Sequence, residues 1–261
     1  MPGPVRLHRT LVLQFSIRLL VIVFAVLGLT GPASADEDLA SLLLGMEAAY
    51  AKVTDYTARF TRQEWLNGSL RPREEMLLKF QRPARMYLRW TLGPSKGREI
   101  LFVQGRDGDK ILVHEPGLLA GLFTSVMAAD SPRVLKESRH PVTDVGLGYL
   151  IELLVSNMKR ALERSELTLV DSGITFQSGH RIRRLEGIMP RDPRQNYYCY
   201  RAVFSIDLEW GLPVAVTIFD WDNRMIEEYT YRDLRLNPGL REIDFDPANP
   251  EYSFPRWRLQ L

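Results

Sequence analysis

Residues 200–234 leave this chain the least freedom in what it can fold into. Tyr200, Ala202, Phe204, Ile206, Leu208 and Trp210 take every second position, with Arg201, Ser205, Asp207 and Glu209 between them. That is the period-2 pattern of a strand with one dry and one wet face. Gly211-Leu212-Pro213 breaks the run, residues 214–221 continue as a β-branched and aromatic strand, and Asp222-Asn223-Arg224 turns the chain into a third strand over 225–234. A three-stranded meander cannot bury its apolar face alone, so further strands or a helix must cover it.

The remaining segments supply that cover. Leu39, Leu42, Leu43, Met46, Ala49, Tyr50 and Val53 recur at helical spacing behind Asp36, Glu37 and Asp38, acids suited to a helix N-terminus. Five short strands are predicted next, over residues 56–65, 76–80, 86–91, 99–104 and 110–114, divided by Asn67-Gly68, Pro83, residues 93–97 and Asp107-Gly108. Alternation disappears between residues 117 and 164. Leu147, Leu150, Ile151, Leu154, Met158 and Leu162 restore a helical period there, so this insert is expected to be helical and loop-like. Strands resume at 167–170, 175–177 and 181–185. The expected fold is mainly β (α+β): a large curved antiparallel sheet of about eleven strands, with an N-terminal helix and a helical central insert gathered to one side.

Arg6, Arg9 and Arg18 precede an apolar run over residues 19–29, and Ala33-Ser34-Ala35 follows as a small-x-small cleavage site. Residues 1–35 are therefore expected to be a signal peptide, and residues 36–261 a single domain in the periplasm or outside the cell. Without the three leader arginines, the 34 basic residues fall to 31 against 32 acidic ones. Such a near-neutral chain offers no support for nucleic-acid binding. Cys199 is the only cysteine, so no disulfide framework is available and no cysteine follows the leader as a lipid acceptor.

An amphipathic helix running into residues 53–61 (Val-Thr-Asp-Tyr-Thr-Ala-Arg-Phe-Thr), then Lys79-Phe80-Gln81-Arg82-Pro83, Trp90 and the hairpin from Ile100 to Asp107-Gly108 together resemble the LolA/LolB-type periplasmic lipoprotein carriers. The closing Ile243-Asp244-Phe245-Asp246-Pro247 and Tyr252-Ser253-Phe254-Pro255 look like that family's C-terminal strand. The resemblance covers most of the mature chain, while the insert and residues 93–99 look more like a secreted subfamily of the same fold. It implies an unclosed half-barrel with a helical lid over a hydrophobic cavity. The implied function is non-enzymatic: a soluble carrier of lipid or lipoprotein acyl chains, or a lipoprotein-sorting protein, with inner- and outer-membrane protein partners and a monomeric state. In that frame Phe60, Phe80, Met86, Leu88, Trp90, Phe102, Phe204 and Leu208 are expected to line the cavity, joined by the Leu-rich Leu118, Leu119 and Leu122 and by Met127 and Met158. Arg82 matches the arginine that latches the lid in the carriers, and Arg139 and His140 are expected to join it.

The alternative is an envelope sensor or scaffold that binds a protein or a glycan through the same fold. A hydrolase using His140 ranks below both. Ser138 and His140 are too close in sequence to converge on one substrate atom, and there is no Gly-x-Ser-x-Gly elbow. Glu74-Glu75 and Glu227-Glu228 point to opposite faces of their strands and cannot form a dyad. No HExxH or CxxC spacing marks a metal site, and no cofactor is expected. Residues 93–98 (Gly-Pro-Ser-Lys-Gly-Arg) hold the ingredients of a phosphate loop in the wrong order, and are expected to form a hairpin turn.

Overall fold

The computed structural model describes residues 35–260, so the expected leader lies outside them except for its last residue. Residues 43–261 form one compact unit. The first helix, α1, spans Ala35–Ala51 and belongs to that unit from Leu43 on. Then come β1 (Asp55–Leu66), β2 (Ser69–Leu70), β3 (Glu74–Gln81), β4 (Arg85–Leu92), β5 (Glu99–Val103), β6 (Lys110–His114) and β7 (Thr124–Ala128). Two helices follow, α2 (Pro132–Leu135) and α3 (Leu147–Glu163). The chain continues through β8 (Thr168–Gln177), β9 (His180–Ile188), β10 (Arg201–Asp207), β11 (Leu212–Phe219), β12 (Met225–Leu236) and β13 (Arg258–Gln260).

All thirteen strands belong to one sheet in the order β13-β7-β6-β5-β4-β3-β1-β12-β11-β10-β9-β8, with β2 a short partner of β1. The sheet does not close, and every pairing is antiparallel except that of β13 with β7. β1 is its seam. It pairs with β3 on one side and with β12 on the other, which joins the N-terminal and C-terminal meanders into one surface.

One element lies where helix and loop were expected. Residues 124–128 form β7 inside the insert, a run too short for its alternation to stand out among Gly, Leu and Ala. Residues 118–123 are not lid helix either. They make a short 3-10 turn, with Leu118 94% and Leu119 80% exposed, so these leucines face solvent rather than a cavity. The closing motifs form no strand. Glu242–Phe245 is a 3-10 turn, and only Arg258–Gln260 pairs in the sheet.

These closing residues explain why β5 and β6 read as continuous apolar runs. Tyr87, Leu101, Leu112, Val126 and Phe245 form a cluster with Leu240, Tyr252 and Phe254 packed against it. β4 to β7 are thus covered on both faces, as unbroken apolar strands require. On the opposite face Met76, Leu78, Met86, Leu88, Trp90, Ile100, Phe102 and Val113 are buried.

α3 is strongly amphipathic and buries Leu147, Leu150, Ile151, Leu154, Val155 and Met158. Each such side chain contributes about 1.5–3 kcal/mol on leaving water, enough to hold the helix against the sheet. Gly187 on β9 permits the approach, because a Cβ there would stand 2.9 Å from the Met158 Cε. β10 stops at Asp207, so the alternation through Leu208 and Trp210 runs past the strand into a turn. Asp207 Oδ1 accepts from the Glu209 and Trp210 N–H groups there, and the Trp210 ring packs against His180 with centroids 4.5 Å apart and planes tilted by 48°.

Candidate functional site

The inward positions of β1 run Tyr56, Ala58, Phe60, Arg62, Glu64, and those of β12 run Glu227, Tyr229, Tyr231. A dry face thus ends in charged residues. Glu64 and Glu227 are direct cross-strand partners, and both are buried, Glu227 with no exposure at all. Two carboxylates so placed repel each other unless cations or donors meet them. The insert supplies these. Arg139 Nε donates to Glu227 Oε1 at 2.6 Å, and the Arg139 backbone N–H donates to Glu64 Oε2 at 3.1 Å. His140 Nε2 lies 3.3 Å from Glu227 Oε1, the Tyr198 hydroxyl donates to the same oxygen, and the Tyr229 hydroxyl donates to Glu64 Oε1 at 2.7 Å.

His140 is held from both sides, with Nδ1 3.2 Å from the Tyr149 hydroxyl on α3 and Nε2 3.0 Å from that of Tyr198. Burial pulls the His140 pKa down, but the Glu227 carboxylate outweighs it and raises the imidazole above its ordinary value. Burial likewise opposes ionisation of Glu227, yet His140, Tyr198 and Arg139 together hold its carboxyl below the usual range. The group is therefore a buried carboxylate, Glu227, met by the Arg139 guanidinium and by a His140 imidazole whose protonated form it favours. Glu227 Oε2 has no partner among the described residues.

A second fastening lies at the N-terminus of α3, which has no side-chain cap of its own. One tyrosine of the scaffold takes that role and two more stand beside it. The Leu147 N–H donates to the Tyr56 hydroxyl at 3.0 Å, and the Tyr231 and Tyr50 phenols face Gly146 and Gly148. The two glycines make room for them. A Cβ on Gly146 would lie 2.7 Å from the Tyr56 Oη, one on Gly148 2.7 Å from the Tyr50 Oη, and Gly146 has φ +133°.

Arg82 reaches this seat through α1. Its guanidinium donates to the Tyr50 carbonyl oxygen and stacks on the Tyr50 ring at 4.5 Å. Its hydrogen bond goes to the last turn of the N-terminal helix rather than to the insert, whereas Arg139 and His140 tie the insert directly to the sheet.

The space enclosed between insert and sheet is small. One cavity of about 50 Å³ is bordered by Met76, Leu88, Trp90, Ile100, Val113, Met127 and Val142, with Arg62, Arg98, Glu115, Arg133 and Glu137 at its rim. Another of about 20 Å³ lies among Phe60, Glu64, His140, Tyr149, Tyr229 and Tyr231. Both fall far below the roughly 300 Å³ of the smallest ordinary ligand pockets. The open cavity expected over this face is closed by the protein's own side chains. Phe60, Leu88 and Trp90 border the remaining space. Phe80 instead stacks on Tyr56 at 5.1 Å, and Met86, Phe102 and Phe204 are packed into the sheet's core. Leu208, past the end of β10, donates its N–H to the Arg181 carbonyl and borders neither cavity.

Further ties close the rim. Arg62 Nη1 donates to Ser138 Oγ at 3.0 Å and Arg98 Nη1 to Glu137 Oε2 at 2.6 Å. Ser138 Oγ also accepts the His140 backbone N–H at 3.4 Å, while the imidazole is turned to Glu227 and the tyrosines. Ser138 and His140 therefore do not form a nucleophile–base pair. Glu74 pairs with Arg62 and Glu75 with Arg59, on opposite faces as their adjacency requires. Among the described residues no three His, Cys, Asp or Glu side chains are placed to hold a metal ion, and no helix is long and apolar enough to cross a membrane.

The sequence does not single out Glu64, Tyr149, Tyr198 and Tyr231; it offers Glu227 only as a dyad partner of Glu228, and Tyr50 and Tyr56 only as helix and strand positions. A usable signal was present. Arg62 and Glu64 continue the parity of Ala58 and Phe60, and Glu227 that of Tyr229 and Tyr231, which places charge on a dry face.

The model of the family described as "Protein of unknown function (DUF1571)" matches residues 53–254. No curated protein matches by sequence. Among solved structures the chain is similar to MucB, at 18% identity and TM-score 0.46, covering 83% of this chain and 64% of that one. The chain thus spans 64% of the length of that neighbour, which is also known in a Pseudomonas aeruginosa MucA/MucB complex. It is similar to the lipoprotein LppX of Mycobacterium tuberculosis, at 16% identity and TM-score 0.47, covering 79% of this chain and 99% of LppX. It is also similar to a LolA-superfamily protein of Nitrosomonas europaea, at 10% identity and TM-score 0.35, covering 79% and 96%.

Proposed function

The chain belongs to the DUF1571 family, and we propose that it is a non-enzymatic holder of lipid or lipoprotein acyl chains whose insert acts as a lid. In this proposal the protein works in the periplasm or outside the cell, after losing its leader at Ala35. The carrying observation is the way the insert is fastened. Residues 132–146 cover an apolar, methionine-containing face, yet they are tied down by exchangeable polar contacts: Arg139 and His140 to Glu227, Ser138 to Arg62, and Glu137 to Arg98. Water or another polar group can replace such contacts at low net cost, whereas an apolar plug would have to be pulled into water. Lifting the segment exposes Met76, Leu88, Trp90, Ile100 and Met127. A guest chain would then recover about 0.8 kcal/mol per buried methylene.

Binding of a fluorescent long-chain acyl probe tests it, alongside lipid extraction of protein taken from its native compartment. Saturable binding that becomes several-fold faster in Glu227→Gln, where the latch is weakened, is the expected result. Absence of binding in both proteins, with no extractable lipid, would sink the proposal.

A second function, docking of a protein partner, is favoured by the exposed Leu118, Leu119, Leu122, Phe123 and Trp257, the last 75% exposed. Phe123 and Trp257 stand beside each other at the sheet edge, where the Thr124 N–H bonds the Trp257 carbonyl at 2.8 Å. Protein capture abolished by Leu119→Ser with acyl binding intact would assign the partner to this patch.

A further inference from the structure

The rim of the apolar cavity continues into a polar one. A space of about 150 Å³ is lined by Arg62, Arg71, Glu74, Ser95, Arg98 and Glu137, with Pro72 and Pro94. It shares Arg62, Arg98 and Glu137 with the apolar cavity behind Trp90, so these three side chains form the partition. Their pairing is uneven. Arg62 is matched by Glu74 at 2.8 Å, and Arg98 by Glu115 at 2.9 Å and Glu137 at 2.6 Å. The Arg71 side chain has no hydrogen bond or ion pair among the described residues. Arg62 and Arg98 are thus met by carboxylates, Arg98 by two of them, while Arg71 alone brings a guanidinium to the polar space without a partner.

Two further observations point to a missing anion. The Trp90 ring has the Arg62 and Arg98 guanidiniums 5.9 and 5.7 Å from its centroid, and its buried indole N–H has no acceptor. A buried donor left unpaired costs free energy that an incoming oxygen would restore. Glu137, moreover, sits on the insert just past α2. It brings its carboxylate to Arg98 only while the insert is down, and its side chain is 44% exposed. The carboxylate thus behaves as a resident anion carried by the lid.

We propose that the polar cavity is the head-group site for an amphiphile with an anionic head, carboxylate or phosphate. Its chain enters past Trp90 into the space bordered by Met76, Leu88, Ile100 and Met127. Resting on the acyl-holding function proposed above, this names the class of its ligand. Glu137 fills the anion site in the unloaded protein, and the head replaces it when the insert lifts, taking charge-assisted bonds from Arg98 and Arg71.

The test compares a fluorescent long-chain fatty acid, the fatty alcohol of equal length with the same fluorophore, and inorganic phosphate, on wild type, Arg71→Ala and Glu137→Gln. The fatty acid should bind about tenfold more tightly than the alcohol, one charge-assisted contact being worth that much. Arg71→Ala should remove most of that preference without moving the thermal midpoint. Glu137→Gln should tighten the acid several-fold more than the alcohol, because losing this tie eases the insert off the sheet for both probes while the freed anion site serves the acid alone. Equal binding of acid and alcohol, or a preference indifferent to both substitutions, overturns the head-group site while acyl holding stands. An equal gain for acid and alcohol in Glu137→Gln overturns the role given to Glu137 as resident anion. Phosphate binding as tightly as the fatty acid marks a free-anion site and overturns the amphiphile. If neither probe binds, acyl holding itself falls.

Discussion

Glu227 takes Arg139 and His140 on one oxygen, and its neighbours settle what its loss does. In Glu227→Gln, Arg139 and His140 lose their counter-charge while the amide keeps the shape. Arg139 keeps 30% of its side-chain exposure, which softens the penalty, so the expected loss is about 1–3 kcal/mol in urea unfolding. Amide exchange should quicken at residues 139–149 before the rest of the chain. The same pair sets a pH window. His140 is raised in the folded state, so its contribution is full below its unfolded value of about 6.5 and fades as pH climbs through the raised folded value. Glu227 is lowered, so its contribution is present above about 4.3 and fades as pH falls through the depressed folded value. Exchange at residues 139–149 should thus be slowest between these limits, and His140→Asn should abolish the rise on the alkaline side while the acid side persists. Arg139 and His140 were named from the sequence only through a family resemblance. Their acceptor was not legible, because a glutamate on a strand looks solvated until its face is known to be dry.

At the scale of elements, α3 is seated by groups that belong to other elements. Tyr56→Phe removes the acceptor of the Leu147 N–H and should cost about 1 kcal/mol. Gly148→Ala drives a methyl to 2.7 Å from the Tyr50 Oη and should cost about 1–3 kcal/mol. Gly45→Ala makes the contrast. Nothing lies within 4 Å of its Cβ position in α1, so the substitution should raise the unfolding midpoint, worth about 0.5–1 kcal/mol in helix propensity. If Gly148→Ala proved as harmless as Gly45→Ala, the tyrosine seat would not be what fixes α3. The amphipathic period of α3 was plain in the sequence. The Gly146-Leu147-Gly148 spacing was visible without meaning, since nothing local says that three phenols will stand in front of it.

For the whole molecule, the proposed lifting of the insert requires that the Glu227 contacts, the Arg62 and Arg98 ties and some of the α3 packing break together. A loaded protein should therefore show raised amide exchange in residues 132–149, with β1, β3 and β12 unchanged. A guest that leaves the insert as protected as in the empty protein would contradict a lid that moves. Most strands, the helical stretches and the turns between them were determined by the sequence alone, because periods of 2 and 3.6 and the turn residues act over a few positions. Only tertiary structure decided where β1 and β12 meet and what gathers on their shared face, with Glu64 bonded to Tyr229 across 165 residues and Arg139 to Glu227 across 88. It also decided that the face beneath the insert is filled by the protein's own side chains. That depends on how closely one helix and one loop settle on a sheet, a matter of side-chain volumes from distant segments that no local period records.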